Sequence, residues 1–253
     1  MTRALLMIAL LGPAVDSGLD GREATTLPTA TTAHDSLRDE PSQLAAFGAA
    51  VAITGNVAFV GETRGSAPGT VHIYQRTGTT WRVTGTLRAD EPKERDGFGA
   101  TLTTDGTTLL VGRVDMVFGP DSGRGAVHAF RRASNGAWTP AGVLVAESRQ
   151  ARASFGTAIA IAGDLAYVGA PAEENGVVYL FRRQGDGSWR PAGRLPVSDA
   201  ASGDRFGSAI AVDGDRLAVG APGRSSNRGA VFAYTRTAGG EWTQQAIVLS
   251  ARV

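Results

Sequence analysis

A Phe-Gly pair recurs four times along this chain, at Phe47-Gly48, Phe98-Gly99, Phe155-Gly156 and Phe206-Gly207, with intervals of 51, 57 and 51 residues. Fourteen residues after each Phe, a glycine closes an apolar run: Gly61, Gly112, Gly169 and Gly220. A third landmark glycine (Gly69, Gly125, Gly176, Gly229) precedes the β-rich runs TVHIYQR, AVHAFRR, VVYLFRR and AVFAYTR. One tryptophan then follows in each copy, Trp81, Trp138, Trp189 and Trp242, and the chain has no others. Four landmarks recurring in one order mark a tandem array in which each repeat is one supersecondary unit.

Each copy holds four strand-like runs and no helical period. In copy three they cover 157–162, 165–169, 177–183 and a run opening at Trp189. Gly163-Asp164 and Gly55-Asn56 are two-residue hairpin signals between the first two runs, and Gly185-Asp186-Gly187 turns the chain between the last two. Four antiparallel strands in a repeated meander are the signature of propeller blades. The expected fold is therefore all-β: a β-propeller of four-stranded antiparallel blades in four repeats, as a closed four-blade ring or part of a larger one. Strand one supports this, because side chains alternate between its two faces. Val51 and Ile53, Ile159 and Ile161, and Ile210 and Val212 make a large apolar face; Ala50 and Ala52, Ala158 and Ala160, and Ala209 and Ala211 make a small one. A strand apolar on both faces is buried on both, as a blade between two others requires. Copy two departs, with Thr101, Thr103 and Thr104, and is expected to be the loosest blade.

The repeats occupy about 47–97, 98–154, 155–205 and 206–253, within an array spanning 36–253. Ahead of them, Met1-Thr2-Arg3 followed by an apolar stretch from Ala4 to Leu11 reads as a signal peptide over 1–16, too short to span a bilayer. Residues 17–35 lack an apolar period and read as a flexible linker. The expected location is accordingly secreted or cell-surface, with no membrane insertion after signal removal. Among 253 residues the formal net charge is +1, which gives no general attraction to nucleic acid. The absence of cysteine excludes disulfide frameworks, thiol catalysis and cysteine-held metals.

The pattern of Phe-Gly, a hairpin, then Val-Gly-Ala-Pro resembles the FG-GAP repeat, which builds the N-terminal β-propeller of integrin α subunits and occurs in many bacterial secreted proteins. Copies three and four carry it in full, with Gly169-Ala170-Pro171 and Gly220-Ala221-Pro222; copies one and two have Glu62-Thr63 and Arg113-Val114 after the glycine. The resemblance implies a propeller and, in some repeats, an Asp-rich calcium loop between the first two strands. Here that loop is a bare turn. Asp213-Gly214-Asp215 offers two close carboxylates where calcium takes six to eight oxygens, so no cofactor is expected. The family's propellers usually have seven blades. A strand-four-like stub at 36–41 precedes copy one, so a closed ring of four, a truncated ring and a ring completed by a second chain all stay open. A compact closed arrangement is favoured, with self-association expected if the ring is incomplete.

No nucleophile elbow, phosphate loop or His-Glu-x-x-His occurs. His72 and His128 share a repeat position with Tyr179 and Phe232, which reads as flat packing area. Each tryptophan reads as an anchor over its own repeat. The loops between strands two and three vary, and binding diversifies in such loops on a rigid scaffold. With the four-to-one connections they form one face, also bearing the charged run from Asp90 to Asp96, and its candidate ligand residues are Arg64, Arg113, Asp115, Asp121, Arg124, Glu173, Glu174, Arg224, Asn227 and Arg228. The leading expectation is a non-catalytic, adhesion-like module for an extracellular protein or glycan, with no catalytic residue and no metal. The alternatives are a propeller-fold extracellular hydrolase or lyase, and a partial repeat fragment of a longer surface protein.

Overall fold

A computed structural model describes residues 45–64, 67–114, 123–148 and 151–249. The signal, linker and stub expectations fall outside these residues, as do Asp115, Asp121 and the side chain of Arg64. Sixteen strands form four antiparallel sheets, each with its strands in chain order. Blade one is β1 (Ala45–Thr54), β2 (Val57–Arg64), β3 (Thr70–Thr77) and β4 (Thr80–Leu87). Blade two is β5 (Phe98–Thr104), β6 (Thr108–Arg113), β7 (Ala126–Arg132) and β8 (Trp138–Leu144). Blade three is β9 (Ile159–Ala162), β10 (Leu165–Ala170), β11 (Val177–Arg183) and β12 (Trp189–Arg194). Blade four is β13 (Ala209–Asp213), β14 (Arg216–Ala221), β15 (Ala230–Arg236) and β16 (Trp242–Leu249). A single helical turn, α1 (Arg224–Asn227), interrupts the β pattern, with Ser225 and Ser226 left-handed within it. The expected all-β propeller of four-stranded blades is what the chain forms.

The blades are joined at seams, and the sequence landmarks are the seam contacts. The first strands follow one another, β1 against β5, β5 against β9 and β9 against β13. At each seam the incoming Phe-Gly lies on the glycines of the blade before it. A Cβ at Gly61 would stand 2.0 Å from the Gly99 carbonyl oxygen, and one at Gly169 the same distance from that of Gly207. Cβ atoms at Gly69 and Gly125 would meet the carbonyl oxygens of Phe98 and Phe155 at 2.0 and 1.9 Å. The fixed offset of 14 is thus the distance along one blade between its own Phe-Gly and the glycine that receives the next. The Phe ring then packs edge-on to the strand-three ring of its own blade: Phe47 on His72, Phe98 on His128, Phe155 on Tyr179 and Phe206 on Phe232, at 5.6, 5.3, 5.6 and 5.1 Å. Such pairs add to area burial because the ring edge is positive and the face negative.

Two expectations change here. Two of the tryptophans pack across the seams: Trp138 lies edge-on to Phe59 of blade one, and Trp242 donates its indole N–H to the Tyr167 hydroxyl of blade three. Blade two is not loose. Thr101 donates its hydroxyl to the Gly156 carbonyl of blade three at 2.6 Å, and Leu109, Leu110 and Val111 are fully buried.

The core consists of three clusters, one per seam: blades one and two, two and three, and three and four. Among the described residues no cluster joins blade four to blade one. The outer faces of those blades are open. Phe47 is 48% exposed where Phe98, Phe155 and Phe206 are at 0%, and Val231 is 41% exposed where Val71, Val127 and Val178 are at 0%. The favoured closed ring of four is therefore corrected to an open arc with three seams.

Candidate functional site

The two rims of the arc differ in backbone chemistry. On one rim, the one-to-two and three-to-four turns place glycines in the left-handed region, among them Gly55, Gly106, Gly163 and Gly214. On the other, the two-to-three and four-to-one connections place non-glycine residues there beside glycines such as Gly97, Gly176, Gly203 and Gly229. Arg95, Arg152, Ser154, Glu174, Asp199, Arg205, Ser225, Ser226 and Asn227 all have φ between 51° and 66°. The left-handed region costs an L-residue roughly 1–2 kcal/mol, and such costs cluster at functional sites. This loop rim is also where each blade buries a carboxylate.

In blade one, Glu62 pairs with His72 at 2.6 Å. In blade two, Asp96 accepts the backbone N–H groups of Gly69, Lys93 and Phe98, with the Arg113 guanidinium 3.9 Å away. In blade four, Asp204 accepts the Ala201 N–H and pairs with Arg224 at 2.7 Å. Burial raises the Asp204 carboxyl pKa, but these two donors outweigh it and hold the pKa below the usual aspartate value. Asp96 and Asp204 stand two residues before their Phe-Gly, so they cap the connection entering a blade. Asp96, expected on the ligand face, is fully buried in this structural role.

Blade three is organised differently. Glu173 is fully buried; its Oε1 receives the Tyr179 hydroxyl at 2.6 Å and lies 3.4 Å from Arg194, while its Oε2 has no hydrogen-bond partner. Burial, then the Glu173 contact, raises the Tyr179 pKa and keeps its hydroxyl a donor. The Arg194 guanidinium lies over the Tyr179 ring at 4.9 Å and reaches Glu174 at 3.7 Å. It faces a cleft of about 220 Å³ lined by Glu174, Asn175, Arg194, Asp199 and the apolar Leu195 and Val197. Arg224 of blade four donates to the Asp199 carbonyl at the cleft rim and lies over Phe232 at 5.7 Å. A cation held by a buried carboxylate, beside an exposed carboxylate in a half-enclosed cleft, can bind an anion or stabilise a developing oxyanion.

Of the expected site residues, Glu174 lines this cleft, Glu173 is buried beneath Arg194, and Arg224 reaches the rim. Asn227 accepts from Arg205 at 3.1 Å, and Arg228 donates to Ser225, both outside the cleft lining. Arg113 and Arg124 belong to blade two and do not join it. Arg194 was missed because it ends a strand. Its signal was the repeat register: it pairs with Tyr179 where Thr86, Val143 and Ile247 pair with the equivalent residues, so it is the one charge at that position.

The FG-GAP repeat family matches residues 138–181 and 189–234. Each stretch runs from a seam tryptophan, through Phe-Gly, to strand three of the next blade, and holds one of the two full Gly-Ala-Pro copies. These residues carry FG-GAP repeats. No curated protein matches it. Among solved structures, the FG-GAP arc is similar to the periplasmic gluconolactonase PpgL of Pseudomonas aeruginosa, with a TM-score of 0.58 and 13% identity over 81% of this chain and 58% of that one. This chain thus spans little more than half the length of that propeller. The expectation that the chain is not an enzyme is corrected: the solved structure it resembles is a gluconolactonase, so the fold does not argue against catalysis. That expectation rested on the absence of known catalytic motifs, whereas polar groups converge here at the loop end of blade three. Among the described residues no helix is long and apolar enough to cross a membrane.

Proposed function

We propose that this FG-GAP arc is an extracytoplasmic hydrolase acting on a lactone or ester, with its site at the blade-three cleft. The observation that carries the reading is Arg194, held from beneath by buried Glu173 and Tyr179 and presented to a cleft beside Glu174. Hydrolysis of an acyl–oxygen bond needs a base for water and a positive group for the oxyanion of the tetrahedral intermediate. Glu174 takes a proton from water as its oxygen attacks the carbonyl carbon. Arg194 stabilises the oxyanion, and the proton passes from Glu174 to the leaving alkoxide as the acyl–oxygen bond breaks. Glu173 and Tyr179 are positioning residues. The lactonase similarity and the FG-GAP repeats support both the reaction class and a periplasmic or extracellular location.

Proton release from glucono-1,5-lactone and a panel of simple esters tests the reading. The wild type accelerates at least one of them, Arg194→Gln and Glu174→Gln each lower kcat/KM about 100-fold, a typical loss for one such group, and the folded state persists. No acceleration on any lactone or ester, or full activity in both variants, overturns it. The expected ligand-binding role of this rim for a glycan or protein is favoured only if a sugar binds at the cleft without turnover.

A further inference from the structure

The arc ends in the two unmated halves of a seam that it has already built three times. Gly220 occupies the repeat position of Gly61, Gly112 and Gly169. In those three a Cβ would strike the next blade's Phe-Gly backbone, at 2.0 Å, 2.8 Å and 2.0 Å from the carbonyl oxygens of Gly99, Gly156 and Gly207. At Gly220 the nearest atom is only Ala209 Cβ of the same blade, at 3.2 Å. The socket is present and none of the described residues sits on it. At the other end of the arc, Gly48 has nothing within 4 Å of where its Cβ would be.

The side chains around this socket match as well. On the trailing face of blade four, Val231 and Val248 are 41% and 58% exposed, while their counterparts Val178 and Leu195 are sealed against blade four. On the leading face of blade one, Val51 and Ile53 are exposed, whereas Ile159 and Ile161 at the same positions pack against blade two. Charge agrees too. Across the second seam Arg183 reaches Asp105 at 3.0 Å and donates to Thr108. The counterparts of Arg183 and Asp105 at the free ends are Arg76 on the leading face and Asp213 on the trailing face, while Arg216, paired with Asp215, stands in the place of Thr108.

We propose that a second copy of this chain covers both faces, head to tail: blade one of each copy docks on blade four of the other, giving an eight-blade ring with two intermolecular seams. A heterologous contact closes into a ring when its rotation permits, and eight blades lie within the range that propellers adopt. Contiguous apolar faces of this kind are covered in stable proteins.

Light scattering on the full chain, with Ile53→Lys and Val248→Lys variants, tests the ring. Both substituted side chains are more than half exposed within one copy, so each variant chain keeps its fold. The wild type has twice the 26.1 kDa chain mass and resists dilution. Each variant alone falls to the single-chain mass. An equimolar mixture of the two regains the dimer, because the intact leading face of one meets the intact trailing face of the other. A wild-type monomer that binds no hydrophobic dye shows the faces covered from within the chain, and overturns the proposal. So does a dimer lost in only one variant, which marks a like-to-like contact, and so does a ladder of higher oligomers, which marks a contact that does not close.

Discussion

At the scale of single residues, glycine and phenylalanine do different work at one seam. The glycine is needed because a carbonyl occupies the place of its side chain. Gly169→Ala drives a Cβ into the Gly207 oxygen, so it lowers unfolding free energy by about 1–3 kcal/mol, the range for overpacking a tight core, and the urea midpoint reads this directly. The phenylalanine is needed for the volume it fills. Phe206→Ala costs about 3–5 kcal/mol, while Phe47→Ala, at a half-exposed position, costs clearly less in the same measurement. These landmarks were legible in the sequence because a seam contact repeats with the blade. Arg194 was hard to read for the opposite reason: its neighbours Glu173, Tyr179 and Glu174 come together through strand pairing and occur in one copy only. Glu173 and Glu174 were found because they lie in a variable loop. Their division of labour, one buried as a support and one exposed, depends on a left-handed backbone at Glu174 that nothing in residue type announces.

At the scale of elements, the connection entering a blade is set by its acidic cap. Asp204 holds the four-to-one connection by accepting the Ala201 N–H and binding Arg224, and these contacts keep its pKa low against the opposing effect of burial. A carboxyl whose folded pKa lies below its unfolded value of about 3.9 adds stability that is complete above that value and is lost as pH falls through the folded pKa. The urea midpoint of the wild type therefore drops as pH falls below about 4, and Asp204→Asn flattens that drop while lowering the midpoint at neutral pH. An unchanged acid limb in the variant contradicts the capping role. The strands were readable from alternation and turn glycines to within about two residues. The order of the seams was not, because a tryptophan four to six residues beyond strand three gives no sign of whether it folds onto its own sheet or the previous one. Strand pairing sends Trp138 and Trp242 to the previous one.

At the scale of the whole molecule, four blades and three seams make an arc, and sequence repetition alone had no means of showing this. A closed ring and an arc have identical repeats; they differ only in whether the first and last copies touch. The structure separates them by solvent exposure at equivalent positions, with Phe47 and Val231 open where their counterparts are sealed. The same arc sets the candidate site, since it lies on blade three, which has seams on both sides. The cleft thus stands on loops of a blade braced by a seam on each side. Hydroxyl-radical footprinting of the four Phe-Gly phenylalanines tests the arc most directly, on Ile53→Lys chains kept dilute enough to be monomeric. The arc predicts strong oxidation of Phe47 and protection of Phe98, Phe155 and Phe206; equal protection of all four would mean that blade four closes on blade one within a single chain.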